Sequence, residues 1–121
     1  MAKKILIIDD DLTNDKILQA RLQSQGYQAI IATDGDEGLL KVKSEKPNLI
    51  ILDIQMPRMN GYTFMNELKK MEHFKSIPVI VLTAHETMQP IFSLKGVKGY
   101  LVKPVNPDIL FEKMKQCLGA A

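Results

Sequence analysis

Four apolar runs in this sequence each end at a polar residue whose side chain can take part in chemistry. The runs and the residues that follow them are 5–8 with Asp9 and Asp10, 49–52 with Asp53, 79–82 with Thr83, and 100–102 with Lys103. If the runs are parallel strands, these side chains emerge at one edge of a sheet, which is where open α/β sheets bind their ligands. Three carboxylates, a hydroxyl and an ammonium group at one edge predict a site for a divalent cation and a phosphoryl group.

The acidic residues have two interpretations. Taken singly, Asp9 and its two acidic neighbours fit a loop that caps the following helix, and Asp53 fits a turn. Taken together, crowded carboxylates repel one another unless a cation lies among them, and Mg²⁺ prefers oxygen ligands in octahedral geometry. An ionised aspartate is also a nucleophile toward phosphorus, while Lys103 and Thr83 offer a charge and a hydrogen bond to phosphoryl oxygens. The joint occurrence favours the metal and phosphoryl site.

The elements that must position these residues can be predicted from the pattern. The apolar runs are short, rich in Ile, Val and Leu, and do not alternate with polar residues, which is typical of strands buried on both faces. Gly26 and Asn106 stand where a helix C′ glycine and an N-cap are expected. We predict strands at residues 4–8, 27–31, 49–52, 79–82 and 100–102, and helices at residues 13–25, 36–44, 61–71, 90–95 and 107–118. Five strand–helix units in succession predict an α/β fold with a parallel sheet and helices on both faces.

Length and composition limit the classes of protein to which the chain can belong. Its 121 residues fit one domain, residues 1–121, and a content of 45% apolar and 25% charged residues is ordinary for a soluble globular protein. A net charge of +2 gives no argument for nucleic-acid binding. No apolar run approaches the ~20 residues that span a bilayer. No signal peptide is recognisable and the single cysteine, Cys117, gives no disulfide framework, so we expect a cytoplasmic protein.

Four stretches of the sequence occur in the order that is typical of a known family. They are residues 5–11 (ILIIDDD), 49–61 (LIILDIQMPRMNG), 79–84 (VIVLTA) and 99–104 (GYLVKP). These stretches resemble the receiver domain of two-component response regulators, in particular the single-domain receivers of chemotaxis, and the resemblance covers essentially the whole chain. It implies a flavodoxin-like (βα)5 fold whose five-stranded parallel sheet has the order 2-1-3-4-5.

The resemblance implies a separate role for each of the acidic residues. Asp53 is the implied phosphoacceptor. Asp10, Asp53 and the backbone carbonyl of Gln55 are the implied ligands of Mg²⁺, or of Mn²⁺ in its place, and Asp9 contributes directly or through water. Asp11 matches no required family position and is interpreted as a loop or capping acid.

The remaining implied roles concern the phosphoryl group and the response to it. Lys103 would pair with the phosphoacceptor and then with the phosphoryl group, to which Thr83 would donate a hydrogen bond. Thr83 and Tyr100 resemble the family's switch pair, in which the threonine moves and the aromatic ring turns inward. The alternative for Tyr100 is an ordinary half-buried strand residue. Gln55 and His85 stand where receivers tune the lifetime of the phosphoryl group, although His85 fits an exposed loop equally well.

One segment departs from the family pattern. The chain between Thr83 and Gly96 is about two residues shorter than the family suggests, and two residues are not a whole helical turn. It also contains Pro90, which a helix tolerates only in its first turn. We therefore predict a shortened fourth helix at residues 90–95 after an irregular loop at 85–89. This segment belongs to the usual output face, so partner recognition there is not carried over from the family.

The predicted function is that of a phosphoacceptor signalling domain. We expect it to take a phosphoryl group from a sensor histidine kinase or phosphotransfer protein and to change its contacts with a downstream protein. We expect no enzymatic activity beyond self-phosphorylation and self-dephosphorylation, and no direct contact with nucleic acid or membrane. The family resemblance places the kinase contact at Asn14, Ile17, Leu18 and Pro104-Val105.

Other functional classes fit less of the sequence. A pseudo-receiver, which has the same fold but is not controlled by phosphorylation, is favoured by the altered fourth helix and opposed by the complete set of site residues. A flavin or dinucleotide binder needs a Gly- or Ser/Thr-rich phosphate loop after the first strand, where this chain has Asp9-Asp10-Asp11. An aspartyl phosphatase would place a second acid where Gln55 stands. The sequence does not distinguish a stand-alone protein from part of a larger regulator.

Overall fold

The computed structural model describes residues 3–53, 61–83, 97–102 and 106–118. The strands are β1 (Lys4–Ile8), β2 (Gln28–Ala32), β3 (Leu49–Asp53), β4 (Val79–Thr83) and β5 (Val97–Val102). The helices within the described residues are α1 (Leu12–Ser24), α2 (Gly35–Glu45), α3 (Gly61–Lys69) and α4 (Pro107–Leu118). The predicted helix at 90–95 and the loop at 85–89 lie outside the described residues. Within the part of the chain that is described, every helix is too short or too polar to cross a membrane.

The five strands form one parallel sheet in the order β2-β1-β3-β4-β5. This confirms the predicted α/β class and the 2-1-3-4-5 order. The register places Ile8 opposite Leu52 and Asp53 opposite Leu82. The carboxyl ends of the central strands therefore lie side by side.

Each face of the sheet carries its own apolar core. Side chains from β1 and β3 alternate between the two faces, so that Leu6 packs in one core and Ile7 in the other. The first core contains Val42 of α2 and Phe64 of α3, and the second contains residues of α1 and α4. Because both faces are covered by helices, the strands have no polar alternation, which explains the uninterrupted apolar runs.

At two helix ends, the residues predicted from the sequence have the expected conformation and hydrogen bonds. Gly26 has φ of +92°, and around it Tyr27 N donates to Leu22 O (3.1 Å) while Gly26 N donates to Gln23 O (3.0 Å). This pair of bonds is a Schellman motif with glycine at C′. At the start of α4, Asn106 Oδ1 accepts a hydrogen bond from Asp108 N at 2.9 Å, as an N-cap does.

The strand boundaries differ from the prediction in two ways. β2, β3 and β4 each end one residue later than predicted, and β2 and β5 begin at different residues. β2 begins one residue late, at Gln28, because the amide of the preceding tyrosine completes the Schellman motif of α1. β5 begins three residues early, at Val97, because Val97 and Gly99 pair with β4 across a register shift. A lysine and a glycine interrupt the apolar pattern there, so the sequence did not indicate pairing.

Candidate metal centre

Asp9 and Asp53 are held at the carboxyl ends of neighbouring strands. Asp9 follows β1, and its amide donates to Ala32 O of β2 at 3.0 Å, which extends the ladder by one bond. Asp53 is the last residue of β3. Both side chains are buried, with 5% and 7% of their surface exposed, whereas Asp10 is exposed. The backbone ladder thus fixes where two of the three carboxylates stand.

The three carboxylates converge on one point. One oxygen from each of Asp9, Asp10 and Asp53 lies within 4.8 Å of the others. Such a set offers only hard oxygen ligands, which suits Mg²⁺ or another hard cation and does not suit a soft one. Among the described residues, this is the only group of acidic, histidine and cysteine side chains with that geometry.

Asp11 and Asp15 lie at the start of α1 and in its first turn, outside the group of three carboxylates. The amide of Asp11 donates to Asp9 Oδ1 at 3.0 Å, and its carbonyl accepts from Asp15 N at 2.9 Å, which is the first bond of α1. Asp11 therefore stands at the cap of α1, in keeping with its interpretation as a loop or capping acid. The sequence reasoning missed that Asp15 is a buried acid, with 2% of its surface exposed. Its only sequence signal is its place in the first helical turn, where the helix dipole favours a carboxylate.

Several other predicted site residues are described only in part. Thr83 ends β4, so its backbone reaches the same edge of the sheet, but its side chain lies outside the described set. Tyr100 is half-buried in β5, opposite Val81, and packs against the core on the α2 and α3 face. Gln55, His85 and Lys103 lie outside the described residues. The described geometry thus brings three of the predicted residues together at the ends of β1 and β3, and it places the backbone of a fourth, Thr83, at the same edge of the sheet.

Comparison with known proteins decides the family. The sequence matches the response regulator receiver domain over residues 5–115. The chain belongs to the response regulator receiver domain family. The flavodoxin-like topology is therefore that of a receiver domain of two-component systems, and the acidic cluster lies at the carboxyl edge of its sheet.

Similar proteins include curated sequences and solved structures. The receiver domain is 39% identical over 118 residues to the "Probable transcriptional regulator ycf27" of Cyanophora paradoxa, covering 96% of this chain and 48% of that protein. The chain spans about half the length of most of the curated relatives it matches and about a quarter of the length of others. It superimposes on chemotaxis protein CheY4 of Vibrio cholerae with a TM-score of 0.90 and 30% identity, covering 98% of this chain and all of that one. With response regulator TrrA of Thermotoga maritima, solved in complex with Mg(2+)-BeF, the TM-score is 0.86 and the identity 36%, covering 96% and 99% of the two chains.

Proposed function

We propose that this receiver domain accepts a phosphoryl group on Asp53 from a histidine kinase or a phosphotransfer protein, in a reaction that depends on Mg²⁺ or Mn²⁺. The observation that carries the proposal is the convergence of three carboxylate oxygens within 4.8 Å at the carboxyl edge of the sheet. Membership of the receiver family and the similarity to a protein solved with Mg(2+)-BeF support it.

The proposed chemistry assigns the nucleophile to Asp53. One of its carboxylate oxygens attacks phosphorus while the phosphorus–nitrogen bond of the donor histidine breaks, and the departing imidazole keeps the electron pair. The burial of Asp53 limits access of water to the nucleophile. Asp10, Asp53 and the backbone carbonyl of Gln55 would hold the cation, and Asp9 would contribute directly or through water. The cation, when bound, neutralises negative charge on the phosphoryl oxygens.

The remaining site residues are proposed to hold and report the phosphoryl group. Lys103 would pair with its charge, and Thr83 would donate a hydrogen bond to one of its oxygens. Movement of Thr83 would leave space for the ring of Tyr100, which packs half-buried in β5. Gln55 and His85 would tune how fast water removes the group. The signal would thus reach the surface through β4 and β5.

The proposed partners are proteins. Ile17 of α1, 54% exposed, and the half-buried Leu18 beside it offer an apolar contact for the kinase or phosphotransfer protein. The curated relatives are about two to four times as long as this chain, so the transcriptional regulation in their names is not proposed for the receiver domain. We propose that the domain has no enzymatic activity beyond its own phosphorylation and dephosphorylation. We also propose a cytoplasmic location, in keeping with the single cysteine.

The test is direct phosphorylation. The protein is incubated with Mg²⁺ and acetyl phosphate, and intact-mass spectrometry counts added phosphoryl groups. We expect one group on the wild type, none on Asp53→Asn and none in EDTA. The matched control is Asp36→Asn, an exposed acid in the first turn of α2, which should be modified like the wild type.

A short phosphoryl lifetime is separated from a true absence by beryllofluoride, which forms a stable adduct with an aspartate. If beryllofluoride and Mg²⁺ together leave the amide NMR spectrum unchanged, the phosphoacceptor proposal is wrong. The pseudo-receiver would then be the better account. At present no feature of the described residues favours that alternative, since all three acidic positions are in place.

A further inference from the structure

One edge of β2 pairs with no other strand of the described sheet. β2 is the first strand of the order β2-β1-β3-β4-β5, so one of its edges pairs with β1 and the other is open. Gln28 N donates to Lys3 O and Ala32 O accepts from Asp9 N, so these alternate residues direct their polar groups toward β1. It follows that Ala29 and Ile31 direct their N–H and C=O groups to the open edge.

Both outward carbonyls are already occupied by side chains. Gln19 Nε2 donates to Ala29 O at 2.8 Å, and Lys41 Nζ donates to Ile31 O at 2.9 Å. Gln19 belongs to α1 and Lys41 to α2, which pack on opposite faces of the sheet. The open edge is therefore covered from both sides.

The same pattern continues at both ends of the strand. Tyr27 N donates to Leu22 O at 3.1 Å, and Thr33 N donates to Glu37 Oε1 at 2.6 Å. The residues on either side of β2 thus also have their amides bonded to α1 and α2. The two neighbouring helices therefore bind polar groups along β2 and beside both of its ends, and not only the two outward carbonyls.

The sequence of this edge explains why cover is needed. Residues 27–32 read YQAIIA, with no charge, no proline and no glycine. A segment of six residues with that composition is prone to pair with its own kind when its edge is open. An incoming strand must donate its N–H groups to the outward carbonyls, and the side chains of Gln19 and Lys41 occupy the approach to both of them. Pairing would also bury the ammonium group, which is unfavourable.

We propose that Gln19 and Lys41 form an edge guard that prevents β2 from pairing with β2 of a second copy of this chain. Two identical edges meet about a two-fold axis, so the blocked pairing is antiparallel and symmetric. This latent self-association surface is separate from the acidic cluster and does not depend on phosphorylation.

The test compares two double variants of matched composition. Gln19→Ala with Lys41→Ala opens both carbonyls, whereas Gln23→Ala with Lys43→Ala removes exposed side chains from the same two helices. Molar mass is measured by light scattering after size exclusion over a series of protein concentrations. We expect the wild type and the control to remain monomeric and the guard variant to reach the mass of two copies or more as its concentration rises.

Amide hydrogen exchange identifies the surface used. In the associated guard variant, the amides of Ala29 and Ile31 should gain protection relative to the wild type. If the folded guard variant stays monomeric at the highest concentration, or associates without protecting these two amides, the proposal is wrong. If circular dichroism shows that the double variant does not fold, Lys41→Ala is measured against Lys43→Ala, with the same expected contrast at Ile31.

Discussion

The acidic cluster makes a quantitative prediction about stability. We expect Asp53→Asn to raise the free energy of unfolding in metal-free buffer and to remove most of the stabilisation that Mg²⁺ gives the wild type. The reason is that Asp53 shares a small volume with Asp9 and Asp10, two carboxylates of the same sign. Without a cation, the repulsion between these carboxylates opposes folding. When a cation is bound, all three carboxylates are close enough to attract it, and its binding stabilises the folded state.

The size of the effect follows from the separation. At 4.8 Å, the distance within which the three oxygens lie, two unit charges repel by about 3.5 kcal/mol at an effective dielectric constant of ~20 and by about 0.9 kcal/mol in bulk water. Asp10 is exposed, so its repulsion of Asp53 lies near the lower value, and the buried Asp9 lies nearer the higher one. Asparagine also loses part of the hydrogen bonding of a carboxylate, so we expect a net gain of about 1–3 kcal/mol.

The assay is urea unfolding followed by circular dichroism, in EDTA and over a series of Mg²⁺ concentrations. Mg²⁺ at one hundred times its dissociation constant should add about 2.7 kcal/mol to the wild type. The control Asp36→Asn should change the metal-free value by no more than about 0.5 kcal/mol and should keep the full response to Mg²⁺.

Two results would refute the reasoning. If Asp53→Asn is less stable than the wild type in EDTA, repulsion within the cluster is not a significant cost of folding. If Mg²⁺ stabilises the variant and the wild type equally, the ion binds elsewhere.

Three further predictions test packing, a helix end and a thiol. Gly38→Ala should lower the free energy of unfolding by about 1–2 kcal/mol in urea titrations, because its Cβ would lie 2.7 Å from Ile8 Cδ1 in a filled core and this overpacking outweighs the gain of about 1 kcal/mol in helix propensity; an unchanged midpoint would contradict this. Lys46→Gly should raise the free energy of unfolding by about 0.5–1 kcal/mol, because Lys46, which caps the C-terminal end of α2, has φ of 50° and ψ of 62°; a lower midpoint would show that the left-handed backbone carries no strain. Burial raises the pKa of the Cys117 thiol and the nearby Lys113 opposes the rise, so alkylation should be slower than in the unfolded chain and slower still in Lys113→Met, with the midpoint of the pH–rate profile moved upward. A faster reaction in Lys113→Met would contradict the assignment.

Much of the fold could be predicted because local pattern and tertiary environment agree. The runs at 5–8 and 49–52 are uninterrupted because helices cover both faces of the sheet. The residue types alone therefore indicate that these strands are buried. Gly26 and Asn106 mark helix ends because their conformational and hydrogen-bonding properties act within a few residues. The strand order came from the resemblance to receivers and was confirmed by the pairing.

The candidate site was predictable for a related reason. In a parallel sheet the residues after each strand must emerge at one edge, so the position of Asp9, Asp10 and Asp53 in the chain already implied their proximity. That the three lie within 4.8 Å, with two buried and one exposed, depends on the register of β1 against β3 and is a property of the tertiary structure.

Taken by itself, the sequence determined the class of fold, most helix and strand positions, and the identity of the acidic residues that meet at the sheet edge. Only the tertiary structure decided that β5 begins at Val97, because pairing with β4 outweighs the weak strand preference of a lysine and a glycine. Only it decided that Gln19 and Lys41 cover the edge of β2, ten residues away along the chain in each case. Both outcomes depend on residues that packing brings together from distant parts of the chain, and the local sequence pattern carries no information about those contacts.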